Sequence, residues 1–137
     1  MFVLVDDVSR ENEGDLIIPA SKVSAKSISF MAKYGRGLIC LALSQSQVNK
    51  LNLPLMSAKN NSRTQTAFTV SIEAKKGVTT GISAYDRAHT IKTEIKKNAT
   101  KKDIVSPGHV FPLISKNGGG LVRSGHTEAP VDISTTG

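Results

Sequence analysis

The sequence predicts an α+β domain, a mixed α/β sheet with helices packed against it. Three observations point there. Apolar runs of strand length recur at residues 3–5, 16–18, 38–43 and 110–114. Between them lie serine-led segments with helical patterning, at 24–34 and from about 84 to 97. No internal repeat or low-complexity tract interrupts the alternation. At 137 residues the chain reads as a single domain, a size at which roughly two-thirds of the unfolded surface becomes buried.

Taken in order, Val3 to Val5 form a strand that runs into an acidic loop, and Leu16-Ile17-Ile18 form a second strand closed by Pro19. Ser24 is a good N-cap for a helix through Tyr34, with Ile28, Met31 and Ala32 on one face and Gly35 as its stop. The run Leu38-Ile39-Cys40-Leu41-Ala42-Leu43 has the length and continuity of a buried strand, which makes Cys40 core. Ser44 or Ser46 caps a short helix ending near Asn52. Residues 66–72 alternate, with Phe68, Val70 and Ile72 on one face, as in a half-buried strand. Ser83-Ala84-Tyr85-Asp86 resembles a capping box with Asp in place of Glu, so a helix starts near Ala84. In the strand from Val110 to Ile114, Pro112 cannot donate to a ladder, which predicts an edge or a bulge. Gly118-Gly119-Gly120 is a turn, Leu121 and Val122 are a brief strand, and Thr127 caps a last helix barely two turns long. Such an ending suggests truncation.

Composition narrows the function classes. The net charge of +7 and pI of about 9.7 raise the question of nucleic acid. The distribution answers against it. Residues 1–20 hold five acids against one base, the lysines cluster at 92–102, and only two Tyr, four Phe and no Trp are present to stack on bases. No apolar run approaches the ~20 residues of a membrane span, and the opening residues meet Asp6 and Asp7 too soon for a signal peptide. A lone cysteine, Cys40, excludes an intrachain disulfide and fits a reducing cytoplasm.

Two segments more than a hundred residues apart carry the chemistry. In Arg10-Glu11-Asn12-Glu13-Gly14-Asp15, the alternating acids share one face of extended backbone. Like charges so close repel unless a cation relieves them, and hard carboxylate oxygens suit Mg²⁺. A solvated acidic turn is the competing reading. In Arg123-Ser124-Gly125-His126-Thr127-Glu128, Arg123 offers a planar fork for phosphate and Gly125 permits close backbone approach. His126 is either a metal ligand or acid–base group, or a packing residue. His109, after the Pro107-Gly108 turn, is a proton carrier or a structural hydrogen-bonding group. Gly77-Val78-Thr79-Thr80-Gly81 places two hydroxyls where a substrate oxygen can be held, and His89, inside a helix, carries no functional claim.

With these residues in place the chain closely resembles the 3,4-dihydroxy-2-butanone 4-phosphate synthase family of riboflavin biosynthesis. The matching strings are Val5-Asp6-Asp7, residues 10–15, Arg36-Gly37-Leu38-Ile39-Cys40, Thr79-Thr80-Gly81-Ile82-Ser83-Ala84 and Asp86-Arg87-Ala88. Pro107-Gly108-His109-Val110-Phe111-Pro112-Leu113 and Gly125-His126-Thr127-Glu128-Ala129 follow. The resemblance implies the family's fold and the Mg²⁺-dependent (or Mn²⁺-dependent) conversion of D-ribulose 5-phosphate to 3,4-dihydroxy-2-butanone 4-phosphate and formate. It implies no organic cofactor and a homodimer in the cytoplasm, with no nucleic-acid or membrane partner. Glu11 and His126 match the metal ligands. Arg10, Glu11, Asp15, Arg123, Ser124, Gly125, His126 and Thr127 match substrate contacts, with Arg123 and Thr127 at the phosphate end. His109 matches a position needed for catalysis, joined by Glu13, while Asp6 and Thr80 match outlying active-site positions.

The chemistry is consistent with these residue types. Enolising a ketose needs proton removal beside a carbonyl, and a metal on the carbonyl oxygen stabilises the enediolate. Acids and imidazoles around one metal supply the later proton transfers. The resemblance also implies an N-terminal helix and a C-terminal strand bearing an essential glutamate, neither of which has a counterpart in residues 1–137. The expectation is an incomplete domain that is weakly active or inactive by itself. The alternative is a catalytically dead domain that binds sugar phosphate or dimerises.

Overall fold

The computed structural model describes residues 1–5, 14–57, 67–116 and 118–127, with backbone alone at 4, 5, 14 and 125–127. Strands β1 (Phe2–Val5), β2 (Gly14–Pro19), β3 (Ile39–Leu43), β4 (Ile72–Ala74), β5 (Ile104–Ile114) and β6 (Leu121–Thr127) make one sheet in the order β1-β2-β6-β3-β5-β4. Only β3 and β5 run parallel, and every other neighbouring pair is antiparallel. Helices α1 (Ala25–Phe30), α2 (Gln45–Lys50) and α3 (Ala84–Glu94) connect them. The α+β expectation holds.

Period-2 side-chain alternation divides the core between the two faces of the sheet. Leu16, Ile39, Leu41, Leu43, Val110 and Val122 face α1 and α3, where Ile28, Met31, Ala88 and Ile91 close over them. Cys40, Ala42 and Leu113 face the other way, against Phe68, Phe111 and Leu121. Both faces of β3 are buried, which explains its unbroken apolar run.

The serine caps behave as their chemistry dictates. Ser24 and Ser27 form a reciprocal capping box, as do Ser44 and Gln47, and the Ser83 hydroxyl accepts from Asp86 N. The first helix, however, ends earlier than Tyr34. It passes into a π-helical turn at Met31–Gly35, and Arg36, not Gly35, takes the left-handed conformation at φ 55°. Gly35 is needed for a different reason. A Cβ there would stand 2.3 Å from Ser124 Oγ, so β6 passes too close for any side chain.

Three other expectations change. The strand expected at 66–72 is displaced to β4. Ahead of it Thr69, not Phe68 or Val70, is fully buried, because its N–H binds the Pro112 carbonyl at 2.9 Å and fixes the local pairing. Of the two expectations for the strand holding Pro112, the edge does not hold and the bulge does: β5 is interior and carries an irregularity against β4 before Val110. The missing Pro112 donor is tolerated because β5 pairs there through other groups, the proline carbonyl accepting from Thr69. β6 runs on as strand to Thr127, well beyond Val122, since pairing with β2 resumes at Gly14–Thr127 after an irregularity at Gly125-His126. A helix after Thr127 lies outside the described residues.

Glu94 is an uncompensated buried acid. It is 4% exposed, and its Oε2 has no hydrogen-bond partner among the described residues. Burial pushes its carboxyl up to about 7, against the opposing field of Lys50. A folded-state value above the unfolded one means the folded protein holds the proton longer, so stability falls as pH rises from about 4.5 to about 7. Glu94→Gln is expected to remove this slope. Relative to wild type it should gain roughly 2–3 kcal/mol between pH 5 and pH 8, read from urea midpoints at the two pH values. An identical pH dependence in both proteins would refute the assignment.

Candidate active site

Strand register brings Gly14 and Asp15, the described end of the first chemistry-bearing segment, beside the second at one end of the sheet. Val5 pairs with Gly14, and Gly14 pairs in turn with Thr127. The connection from β1 to β2, which carries Arg10, Glu11 and Glu13, therefore leaves and re-enters the sheet beside the end of β6. Those three residues and Asp6 lie outside the described residues. Between the Leu16–Ser124 and Gly14–Thr127 pairs β6 holds one residue more than β2, a bulge at Gly125-His126. Bulges of this kind re-aim side chains at functional edges.

Asp15 and Arg123 come together across this junction. The Arg123 guanidinium donates to the Asp15 carboxylate, whose side chain is 9% exposed against 34% for the arginine. Arg123 and Cys40 are registered partners on β6 and β3, so the ion pair lies on the face opposite the helices. Burial raises the Cys40 thiol to about 11, with Arg123 opposing and Asp15 reinforcing the rise. It is therefore protonated at neutral pH and packs as core, as expected.

Ser124 turns its side chain away from the ionic face. It is fully buried on the helix-facing side, and its hydroxyl donates to the Met31 carbonyl at 3.4 Å. Pleat alternation that turns Arg123 outward must turn Ser124 inward. Gly125, His126 and Thr127 are placed by backbone on β6, and Thr127 is a strand residue paired with Gly14.

His109 is positioned by a larger irregularity. Ile72 pairs with Val110 while Glu73 pairs with Val105, so residues 106–109 of β5 bow out opposite two consecutive residues of β4. Gly108 packs on the backbone there, where a Cβ would stand 2.0 Å from the Ile72 carbonyl oxygen. His109 then donates twice to Glu73, from its backbone N–H to Oε1 at 3.2 Å and through ring Nδ1 to Oε2 at 2.9 Å. The parallel pairing of β3 with β5 and the antiparallel pairing of β3 with β6 send His109 and residues 125–127 past the same end of β3. Glu73 was missed in the sequence because its partner is 36 residues away.

The loop between β4 and α3 is built around another carboxylate. Asp86 accepts from Thr79 N–H, Thr79 Oγ1 and Gly81 N–H at 3.0–3.1 Å. Burial would raise its carboxyl, yet these bonds and the Ser83 hydroxyl outweigh that and hold it below the usual range. The side chain that resembled half of a capping box thus ties down the loop instead. His89 binds the Lys76 carbonyl at 2.9 Å and stacks on Tyr85, a structural role.

An α+β domain with an ion pair and a carboxylate-braced histidine at one sheet end has the makings of an enzyme site. Residues 1–136 match the model of the family 3,4-dihydroxy-2-butanone 4-phosphate synthase, and the chain belongs to that family. A 3,4-dihydroxy-2-butanone 4-phosphate synthase from Photobacterium phosphoreum is 55% identical over 134 residues, covering 98% of this chain and 37% of that protein. One from Blochmanniella floridana is 51% identical, covering 98% of this chain and 63% of its own length. The chain thus spans between a third and two-thirds of the curated relatives it matches. A solved 3,4-dihydroxy-2-butanone 4-phosphate synthase in complex with two magnesium ions superposes with a TM-score of 0.83 at 35% identity, over 90% of this chain and 68% of that one.

The donor chemistry fits a divalent cation at this end of the sheet. Among the described residues no three His, Cys, Asp or Glu side chains stand together as a metal cage. Glu73 is taken by His109 and Asp15 by Arg123. The donor pair that the resemblance implies is Glu11, which lies outside the described residues, and His126, placed on β6 by its backbone. One carboxylate and one imidazole suit Mg²⁺ or Mn²⁺, the rest of the sphere being water or substrate oxygen.

Proposed function

We propose that this chain carries the metal-binding and phosphate-binding residues for converting D-ribulose 5-phosphate to 3,4-dihydroxy-2-butanone 4-phosphate and formate, a step of riboflavin biosynthesis. The observation that carries this reading is the Val5–Gly14–Thr127 register, which supports a single site shared by the acidic loop and β6. Glu11 and His126 would hold Mg²⁺, which when bound supplies a Lewis acid for the substrate's carbonyl oxygen.

The chain's own residues do the remaining work. Arg123 keeps guanidinium donors beyond the one given to Asp15, enough to take a phosphate oxygen. Asp15 holds that fork in place. Thr127 and the backbone of the β6 bulge line the phosphate end, and Arg10 adds a second cation. His109 moves protons through Nε2, its Nδ1 being engaged, and Glu13 assists. The protein acts as a homodimer in the cytoplasm, on a small sugar phosphate. No helix among the described residues is long and apolar enough to cross a membrane.

The test is formate release from ribulose 5-phosphate with Mg²⁺, with and without chelator. It is run on the chain as it stands and on a version lengthened by the C-terminal stretch that the resemblance implies. Chelator-sensitive turnover is expected from the second. A lengthened protein that releases no formate with Mg²⁺ present would end this reading.

A further inference from the structure

We infer that Glu73 is the positioning residue for His109, holding its ring in the Nδ1–H tautomer so that Nε2 is the nitrogen offered to a reacting proton. The inference deepens the proposed reaction and rests on it for the catalytic part alone.

The geometry behind it is a convergence of two donors on one carboxylate. The His109 backbone N–H reaches Oε1 and ring Nδ1 reaches Oε2. An ionised carboxylate only accepts, so Nδ1 must carry its proton and Nε2 must be the acceptor. The Glu73 side chain is 12% exposed while that of His109 is 42% exposed, so the brace is sheltered and the ring is accessible. Glu73 is itself confined. A Cβ on Gly81 would stand 1.9 Å from its Oε2, and Gly81 has φ +89°, which favours glycine. The loop bearing Gly81 is anchored in turn by the Asp86 carboxylate. Support therefore runs from Asp86 through Gly81 to Glu73 and so to His109, from elements distant in sequence. A histidine required only for packing needs neither a fixed tautomer nor an accessible ring.

An isosteric amide separates this role from mere packing. Glu73→Gln can accept only one of the two donors. The backbone N–H cannot change its character, so the amide oxygen stays with it and the amide NH₂ faces Nδ1. The ring must then give up its Nδ1 proton and become the Nε2–H tautomer.

Long-range ¹H–¹⁵N correlation spectra of the histidine-labelled full chain, recorded where the ring is neutral, read this directly. His109 is assigned by the signals lost in His109→Asn. The expected result is Nδ1–H in wild type and Nε2–H in Glu73→Gln. Gly81→Ala, which drives the carboxylate out of place, should also depopulate Nδ1–H. A wild-type Nε2–H ring, or an unchanged tautomer in Glu73→Gln, overturns the inference whatever the turnover.

In the lengthened enzyme, Glu73→Gln should lower kcat by roughly 10²-fold or more, since a wrong tautomer behind a catalytic histidine is known to cost up to about 10⁴-fold. KM should stay within about twofold, because a substrate contact is not removed. A swapped tautomer with unchanged kcat overturns the positioning role. Absence of formate in wild type counts against the reaction and leaves the tautomer result to decide the brace.

Discussion

Glu11→Gln and His126→Ala are each expected to abolish magnesium-dependent formate release in the lengthened enzyme, lowering it by about 10³-fold or more. Mg²⁺ takes few ligands from protein, so the loss of either one removes a large share of what holds it. The two changes should not unfold the chain. Glu11→Gln removes one of several crowded negative charges, which relieves repulsion. His126 lies in the β6 bulge, so the flanking pairs Leu16–Ser124 and Gly14–Thr127 survive truncation of its side chain. Urea midpoints within about 0.5 kcal/mol of wild type would separate loss of the ion from loss of the fold. Calorimetric titration with Mg²⁺ supplies the second readout, with weakened binding in both variants. Turnover and affinity close to wild type in both would exclude these side chains from the metal site.

How far the residues themselves disclosed this arrangement depends on the range of the interactions involved. Ser24, Ser44 and Ser83 are legible because a cap is satisfied within three residues. The strand at Ile39–Leu43 is legible because a five-residue apolar run has few other uses. Leu38 falls outside it, half-open, since pairing with β6 begins at Ile39. From sequence β5 starts at Val110, because Pro107 and Gly108 look like a turn. In the fold they lie within a bowed segment, residues 106–109, where the Ser106 hydroxyl donates to the Ser71 carbonyl, Gly108 N–H to the Ser71 hydroxyl and His109 N–H to the Glu73 carboxylate. Asp86 misled for a related reason. Its spacing from Ser83 fits a cap, but three donors in the preceding loop outcompete the single backbone N–H a cap would have used.

The candidate site divides along the same line. The acidic loop and the histidine strand stand out by composition, and the family resemblance names their roles. What composition could not supply was orientation. Arg123 and Ser124 are adjacent and both polar, yet the pleat sends one to the ionic face and the other beneath Met31. Glu73 shows no local sign of function. Its meaning comes from a four-residue bow in a strand far along the chain.

Arg123→Met should be the most destabilising change at the site, by about 2–3 kcal/mol in urea or thermal unfolding. Methionine keeps most of the aliphatic packing of the stem but leaves the Asp15 carboxylate, 9% exposed, without its cation. The figure falls below the roughly 3–5 kcal/mol of a fully buried pair because about a third of the arginine side chain is in solvent. Asp15→Asn combined with Arg123→Met should recover much of the loss, since the stranded charge is then gone. Additive losses from the two single changes would show that the pair is uncoupled. Arg123→Lys distinguishes the ion pair from phosphate binding. An ammonium can still neutralise Asp15, but it lacks the planar fork that serves a carboxylate and a phosphate together. Its stability should therefore lie near wild type while KM for the sugar phosphate rises about tenfold or more. A lysine variant that binds substrate normally would confine Arg123 to holding the strands together.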